Sequence, residues 1–199
     1  VGAGDERALG VGDDARATVK LAGTNVPLYY ADSGQVNAQV PFELVAGNTL
    51  PLLVQASGTA SPPELVTLAS AQPGIFTVDS SGSGAGVITD AQGALIASSN
   101  PARRGDVVIV YATGLGATKP AVKTGEASPS SPPAQVTQAV TAYVGGVAAT
   151  VEFAGLTPGL VGLYQVNVRI PENASPGEAV ELYLEQNQVA SNKVTVAIR

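Results

Sequence analysis

The chain has 199 residues, of which 45% are hydrophobic and 5% aromatic, and it contains no cysteine or histidine. These absences exclude Ser-His-Asp and Cys-His nucleophile systems, thiolate redox centres and ordinary structural zinc sites. The 16 acidic and 10 basic residues give a formal net charge of −6, and Lys and Arg form no run longer than the doublet Arg103-Arg104. This argues against nucleic-acid binding, because a phosphate backbone is neutralised by clustered Lys and Arg.

From the N-terminal side, short β-rich runs follow one another with turn residues between them, as in an antiparallel β protein. Pro41 closes one of these runs, because proline has no N–H to donate to a strand ladder. The runs are residues 20–23, 28–31, 35–41, 47–54 and 65–69.

The central stretch, residues 73–138, adds further strand candidates and one Ser/Pro-rich segment. Residues 75–78 and the strongly apolar 107–111 predict strands, and 87–96 predicts a hairpin whose tip is 90–93. Residues 128–133 (SPSSPP) predict an extended surface loop, which we favour over an O-glycosylated segment.

The last third of the chain repeats the first. Residues 165–171 (QVNVRIP) echo 35–41 (QVNAQVP) at an offset of 130 positions, and 177–184 echoes 47–54 at the same offset. Upstream, 143–146 followed by 151–154 corresponds to 20–23 followed by 28–31 at an offset of 123; downstream, 193–197 is matched to 65–69. Such self-similarity indicates two copies of one structural unit.

The second copy shows the strand pattern clearly. Val166, Val168 and Ile170 alternate with polar residues, which is the period of two expected of a strand with one face in a core. The pair Gly145-Gly146 suits a tight hairpin, where positive φ is needed. Further strands are predicted at 179–184 and 194–198, with a turn around 186–187 between them.

These patterns predict an all-β fold made of two tandem Ig-like antiparallel β-sandwiches. We place the first sandwich at residues 1–72 and the second at 73–199. Short strands, turn signals every 8–12 residues and few aromatic residues are typical of that architecture.

Four ordered motifs carry a resemblance to a known family. They are residues 73–77 (PGIFT), 100–102 with 104–106 (NPA, RGD), 111–116 (YATGLG) and 158–168 (PGLVGLYQVNV). Together they resemble the uncharacterised C-terminal domain of secreted acidobacterial proteins of the Solibacter type, and each half is similar to Ig-like IPT/TIG domains. The resemblance implies the fold and a secreted setting, and it implies no catalytic or binding residue.

The repeat also predicts that the first sandwich is incomplete. Carried back by 123 positions, the apolar strand at 107–111 would fall before Val1. A sandwich without this strand exposes apolar surface and unpaired backbone, which favours strand addition from another chain. The donor is expected to be a terminal segment, either the sequence near Arg199 or the N-terminal stretch, whose candidate residues are Val1, Gly2, Ala3, Leu9 and Val11.

Several groups of residues are candidates for chemical sites. Asp5-Glu6, Asp13-Asp14 and the alternating Glu178, Glu181 and Glu185 offer paired carboxylates, but no Trp-rich cleft accompanies them. Asp13, Asp14, Asp32 and Asp90 offer oxygen ligands for calcium, yet Asp in turns is usually solvated. The six tyrosines are expected to be half-buried in strands rather than a sugar platform. Asn173-Ala174-Ser175 matches a glycosylation sequon. We expect no catalysis, no cofactor and no metal.

The sequence therefore predicts a non-catalytic extracellular protein of the bacterial cell surface. A chain beginning at Val1 rather than Met suits a secreted protein after removal of a signal peptide, and no apolar run is long enough to span a membrane. The favoured function is a filament or surface-layer subunit that self-associates by strand addition. The competing function is an accessory module of a larger secreted protein that binds glycans or other proteins.

Overall fold

The computed structural model describes residues 17–199, and these consist of strands, turns and loops without a helix. They fall into two compact units. The first comprises the described residues up to Ala69 together with Lys123–Gly125, and the second comprises Ser70–Val122 with Glu126–Arg199. The division lies three residues before the predicted one at 72. Val1, Gly2, Ala3, Leu9 and Val11, and the carboxylates at 5–6 and 13–14, lie outside the described residues.

The described part of the first unit, from residue 17 onward, consists of seven short strands in two sheets. One sheet has β1 beside β5, with β2 on the far side of β1 and both β6 and β7 on the far side of β5; the other pairs β3 with β4. The strands are β1 (Ala17–Leu21), β2 (Thr24–Asn25), β3 (Leu28–Ala31), β4 (Val36–Ala38), β5 (Thr49–Ala56), β6 (Thr59–Ala60) and β7 (Glu64–Thr67).

Side chains from both sheets of this unit meet in one core. Val19, Leu21 and Val26 are its buried members. Half-buried aliphatic residues of β3, β4, β5 and β7, together with Leu44 and Leu68 from the loops beside them, pack against these three residues. These residues are Leu28, Val36, Leu44, Leu50, Leu52, Val54, Val66 and Leu68.

Residues 123–125 belong to the first unit, which the sequence did not predict. The backbone N–H of Thr124 donates to Glu43 Oε1 at 3.0 Å, and the N–H of Gly125 donates to Gln39 Oε1 at 2.8 Å. The Thr124 hydroxyl accepts a hydrogen bond from the Phe42 N–H at 2.8 Å. The hydrogen bonds from Thr124 hold the pKa of the Glu43 carboxyl below its ordinary value.

The second unit has eleven strands. Its strand order is β17-β16-β13-β14-β15-β10-β8, with β18 on β16, β9 on β10, and β12 joining β11 to β14. The strands are β8 (Gly74–Ile75), β9 (Ile88–Thr89), β10 (Val107–Thr113), β11 (Thr118–Lys119), β12 (Gln135–Val136), β13 (Val140–Val144), β14 (Val147–Leu156), β15 (Tyr164–Arg169), β16 (Gly177–Gln186), β17 (Val189–Ala190) and β18 (Val194–Ile198).

The long strand β14 serves two sheets. Residues 147–149 pair with β13, and residues 150–156 pair with β15. A register shift between Val151 and Phe153 interrupts the second ladder, and a bulge of this kind bends the strand. The antiparallel all-β prediction, with two tandem Ig-like sandwiches, is confirmed.

The predicted repeat holds at the level of strand register. Lys20 pairs with Leu53 in the first unit, and their counterparts Tyr143 and Tyr183 pair in the second. The β3–β4 ladder breaks between Leu28 and Tyr30, and the β14–β15 ladder breaks at the corresponding place. The offsets of 123 and 130 read from the sequence therefore reproduce both the pairing and the bulge.

One match within the repeat was wrong. Leu50 pairs with Val66 and Val180 pairs with Val196, so the last strands correspond at an offset of 130. The sequence match of 65–69 to 193–197 had shifted them by two residues. A shift of two leaves every side chain on the same face of the strand, so the hydrophobic pattern does not detect it.

Two-residue hairpin turns join several of these strands. Gly145 and Gly146 connect β13 to β14 with φ of 58° and 77°, the positive values that a type I′ turn needs. Asn187 and Gln188 turn between β16 and β17 with φ of 52° and 65°. The predicted turn at 186–187 was therefore one residue early.

Candidate functional site

The free edge of β4 is the feature in which the two units differ most. In the second unit β15, the counterpart of β4, lies between β14 and β10. Within residues 17–199, β4 pairs with β3 alone. The strand expected to be missing from the first sandwich is therefore absent from its described part.

The side chains of the β4 segment are uncovered where those of β15 are buried. Val166, Val168 and Ile170 have no solvent-exposed surface. Of their counterparts, Val36 is half-buried, Ala38 is exposed, and Val40 is 57% exposed. An exposed aliphatic side chain in place of a fully buried one is a patch that a further strand would cover.

The backbone of this segment presents its hydrogen-bonding groups to the same open side. In the second unit, Ile170 is the counterpart of Val40. Its N–H donates to Asp106 O at 2.8 Å, and its carbonyl oxygen accepts the Gly105 N–H at 2.9 Å. In the first unit the Gln39 N–H donates in the opposite direction, to Pro27 O at 2.9 Å. By the alternation of a strand, the N–H groups of Ala38 and Val40 point away from β3.

In the second unit, β10 and the turn after it fill the corresponding space. Val108, Val110 and Ala112 point inward and are essentially fully buried, and so is Leu115. A Cβ on Gly114 would lie 2.0 Å from the Gln72 carbonyl oxygen. Glycine is required there because the chain passes directly against that backbone while holding a φ of +74°.

A second open edge lies on β7. In the second unit the Thr195 N–H donates to Gly84 O at 2.7 Å, and the Gly86 N–H donates to Thr195 O at 3.1 Å. Among the described residues β7 pairs only with β5, and Leu65, the counterpart of Thr195, is 68% exposed.

Asn192, in the connection between β17 and β18, forms hydrogen bonds with residues 75 and 82 of the second unit. Its Nδ2 donates to the carbonyls of Ile75 at 3.0 Å and Gly82 at 2.8 Å, and its Oδ1 accepts from the Ile75 N–H at 2.7 Å. The first unit has Pro62 at the corresponding position, which offers no side-chain hydrogen bond. Asn192 was not singled out in the sequence, because its correspondence with Pro62 follows only from the offset of 130 that the strand register establishes.

The predicted turn aspartates form local hydrogen bonds. Asp32 Oδ1 accepts the backbone N–H groups of Gly34 and Gln35 at 2.8 and 2.7 Å, and its other oxygen accepts the Tyr30 hydroxyl. The hydrogen bond from Tyr30 holds the pKa of Asp32 below its ordinary value. No group of three or more acidic residues placed to hold a metal ion occurs in residues 17–199.

The tyrosines do not form one platform. Tyr143 and Tyr183 stack with ring centroids 4.8 Å apart, and the Lys193 ammonium lies 5.3 Å from the centre of the Tyr183 ring. Tyr164 is buried and its hydroxyl donates to Gly116 O. The sequon residue Asn173 is exposed in a turn closed by the Ala174 N–H to Pro171 O.

The second unit also carries a polar cleft of about 420 Å³. Asp90 and Asn100 lie on one part of its lining, and Arg103, Asp106 and Arg199 contribute charged groups. Asp90 Oδ1 accepts the N–H groups of Gln92 and Ala94, both at 2.9 Å, so this carboxylate shapes the predicted hairpin tip.

No protein-family model matches the chain, and no curated protein matches it. One solved structure that is similar is the crystal structure of the I9–I11 tandem from titin, at 9% identity and a TM-score of 0.27. The match covers 92% of this chain and 55% of the titin chain, so this chain spans about half the length of that structure. No helix in residues 17–199 is long and apolar enough to cross a membrane.

Proposed function

We propose that this chain is a non-catalytic structural module of the bacterial cell surface that assembles into a filament or surface layer by β-strand addition between chains. A strand from a neighbouring copy would lie along β4 and complete the first unit. The resemblance to Solibacter-type secreted proteins supports the extracellular setting, and the sequence places the donor in a terminal segment such as the one containing Val1 and Leu9.

The free β4 edge is the observation that carries the proposal. Main-chain hydrogen bonds along an open edge supply affinity, and alternate side chains that enter the core supply specificity. The first unit offers both, because Ala38 and Val40 turn their N–H groups outward and Val40 is 57% exposed. Burying the exposed 57% of this valine stabilises a complex by about 1–1.5 kcal/mol.

The test is the association state of the purified full chain. We expect multimers or filaments at micromolar concentration, measured by size exclusion with light scattering and by electron microscopy. Ala38→Pro removes the N–H that faces the open side and leaves the pairing with β3, so it should abolish assembly. Ala38→Val is the matched control, because the second unit carries valine at this position.

Two results would overturn the assembly proposal. One is a wild-type chain that stays monomeric over the whole concentration range. The other is an Ala38→Pro variant that assembles as well as the wild type.

A second candidate function, ligand binding by an accessory module, is favoured by the polar cleft of the second unit. Carboxylate, amide and guanidinium groups that line one cleft suit a polar ligand such as a glycan. Binding to a glycan array should be lost in Arg103→Ala, whose side chain lines the cleft. Arg104→Ala should retain it, because Arg104 Nε instead donates to Ala174 O at 2.8 Å. Equal binding by both variants would exclude the cleft.

A further inference from the structure

We infer that the open groove of the first unit takes a strand of one particular kind: an antiparallel segment with the side-chain pattern of β10. This inference rests on the proposed function. The proposed function says that the strand comes from a neighbouring chain, whereas the present inference specifies which strand sequence the groove accepts. The second unit, which contains the corresponding strand, provides the comparison.

Register and direction of the incoming strand follow from the duplication. The second unit pairs Val166 with Val110 and Val168 with Val108, antiparallel. Because the ladders of the two units agree residue for residue through β3 and β4, a strand on β4 would place its equivalents of Val110 and Val108 opposite Val36 and Ala38. A slip of one residue would turn its apolar side chains to solvent.

The size of the inward side chains follows from the core that they would meet. Leu52 and Val66 are identical to their counterparts Leu182 and Val196. Val54 is one methylene smaller than Leu184, and Leu68 has the size of Ile198. The four counterparts are buried in the second unit, whereas all four residues are only half-buried in the first. The groove thus has room for Val, Val and Ala, the inward residues of β10.

One position of the groove is wider than in the second unit. Ala38 stands where the second unit has Val168, the residue opposite Val108. The incoming strand therefore gains from a larger side chain at the position of Val108. One added methylene corresponds to about fourfold in affinity, at about 0.8 kcal/mol per buried CH₂.

The experiment adds a synthetic peptide with the sequence of residues 105–116 (GDVVIVYATGLG), flanked by lysines for solubility, to the full-length chain. Hydrogen exchange followed by NMR should show at least tenfold slower exchange of the Ala38 and Val40 amides. A peptide with Val108→Ile should bind about fourfold more tightly, and one with Val108→Asp and Val110→Asp should not bind.

Protein variants locate the site. Val40→Asp should weaken peptide binding at least tenfold, whereas Val45→Asp, at a residue that is 69% exposed and outside β4, should not. Slowed exchange at Val166 and Val168 instead of β4 would mean that the peptide invades the second unit, and it would overturn the inference. So would unchanged exchange at Ala38 and Val40 with millimolar peptide while β1 and β5 remain protected. Peptide binding by a chain that never self-assembles would leave the inference standing and would remove the assembly proposal.

Discussion

Asn192 shows how one side chain anchors a long segment. Its carboxamide makes three hydrogen bonds to the backbone of residues 75 and 82, and these hold β8 and the following loop beside the β17–β18 connection, where Asn192 lies. Removing such a side chain leaves backbone groups of a half-buried site without partners.

Asn192→Ala should therefore lower the free energy of unfolding of the second unit by about 1–3 kcal/mol. Asn192→Asp keeps the acceptor for the Ile75 N–H and loses both donations, so it should fall short of the wild type too. Asn173→Ala, at an exposed turn residue, is the control and should change stability little. Urea unfolding measures all three, and a neutral Asn192→Ala would show that the segment is held by other contacts.

Asp90 predicts a pH dependence of the hairpin tip. The backbone N–H of Ala94 is the main group that lowers the pKa of Asp90, helped by Asn100 and Gln92, while burial opposes the shift. A carboxyl with a lowered pKa in the folded state stabilises the fold above its unfolded pKa, about 3.9, and that stabilisation is lost as the pH falls through the folded pKa.

In an NMR titration from about pH 6 to pH 2, the Ala94 amide resonance should move with a midpoint below the ordinary Asp value. Asp90→Asn keeps an oxygen acceptor but removes the charge, so its Ala94 resonance should not titrate in this range. A midpoint at or above the ordinary value in the wild type would contradict the assignment.

At the scale of the element, the β5–β6 hairpin turn of the first unit and the β16–β17 hairpin turn of the second have different residues at a position with positive φ. Gln188 holds a φ of 65° at the position where the first unit has Gly58 with a φ of 81°. A residue with a Cβ in this region carries about 1–2 kcal/mol of strain, and glycine carries less strain at an entropic cost of about 0.5–1 kcal/mol.

Gln188→Gly should raise the stability of the second unit by up to about 1 kcal/mol. The reciprocal change Gly58→Gln should lower the stability of the first unit by a similar amount. Thermal unfolding of the two variants provides the comparison, and shifts of equal sign in both would refute the strain argument.

Strand pairing was largely predictable because the chain contains its own second example. The repeated QVN segments identified β4 and β15 as counterparts, and the sequence offsets on either side then predicted the strand pairs β3–β4 and β14–β15. The match of the last strands failed because alternation cannot distinguish a two-residue shift. The parallel contact of residue 85 with Thr195 was not predicted, since a single bridge in a Gly/Ser-rich segment leaves no periodic signal.

The open edge itself was inferred from the absence of a counterpart to β10, and the structure shows which residues it uncovers. Val40 and Leu65 were not singled out in the sequence. Their exposure depends on which strands cover them, and that is a property of the sheets rather than of the local pattern.

At the scale of the whole chain, the two units should differ in stability, because among residues 17–199 the core of the second unit is covered and that of the first is not. Amides of β1 and β5 should exchange at least tenfold faster than the matched amides of β13 and β16, which corresponds to about 1.4 kcal/mol. Hydrogen exchange with mass spectrometry measures this in a single sample. Equal protection in dilute monomer would mean that the first unit is already complete.

If a strand from a neighbouring chain completes the first unit along β4 (Val36–Ala38), as proposed, the stability of that unit depends on mass action. A fold that gains its last strand from elsewhere becomes more stable as the concentration of that strand rises, by RT ln(1 + [L]/Kd). Dilution would then loosen the first unit while leaving the second intact. The first unit would then be fully folded only where the local concentration of neighbouring chains is high, whereas the folding of the second unit would not depend on that concentration.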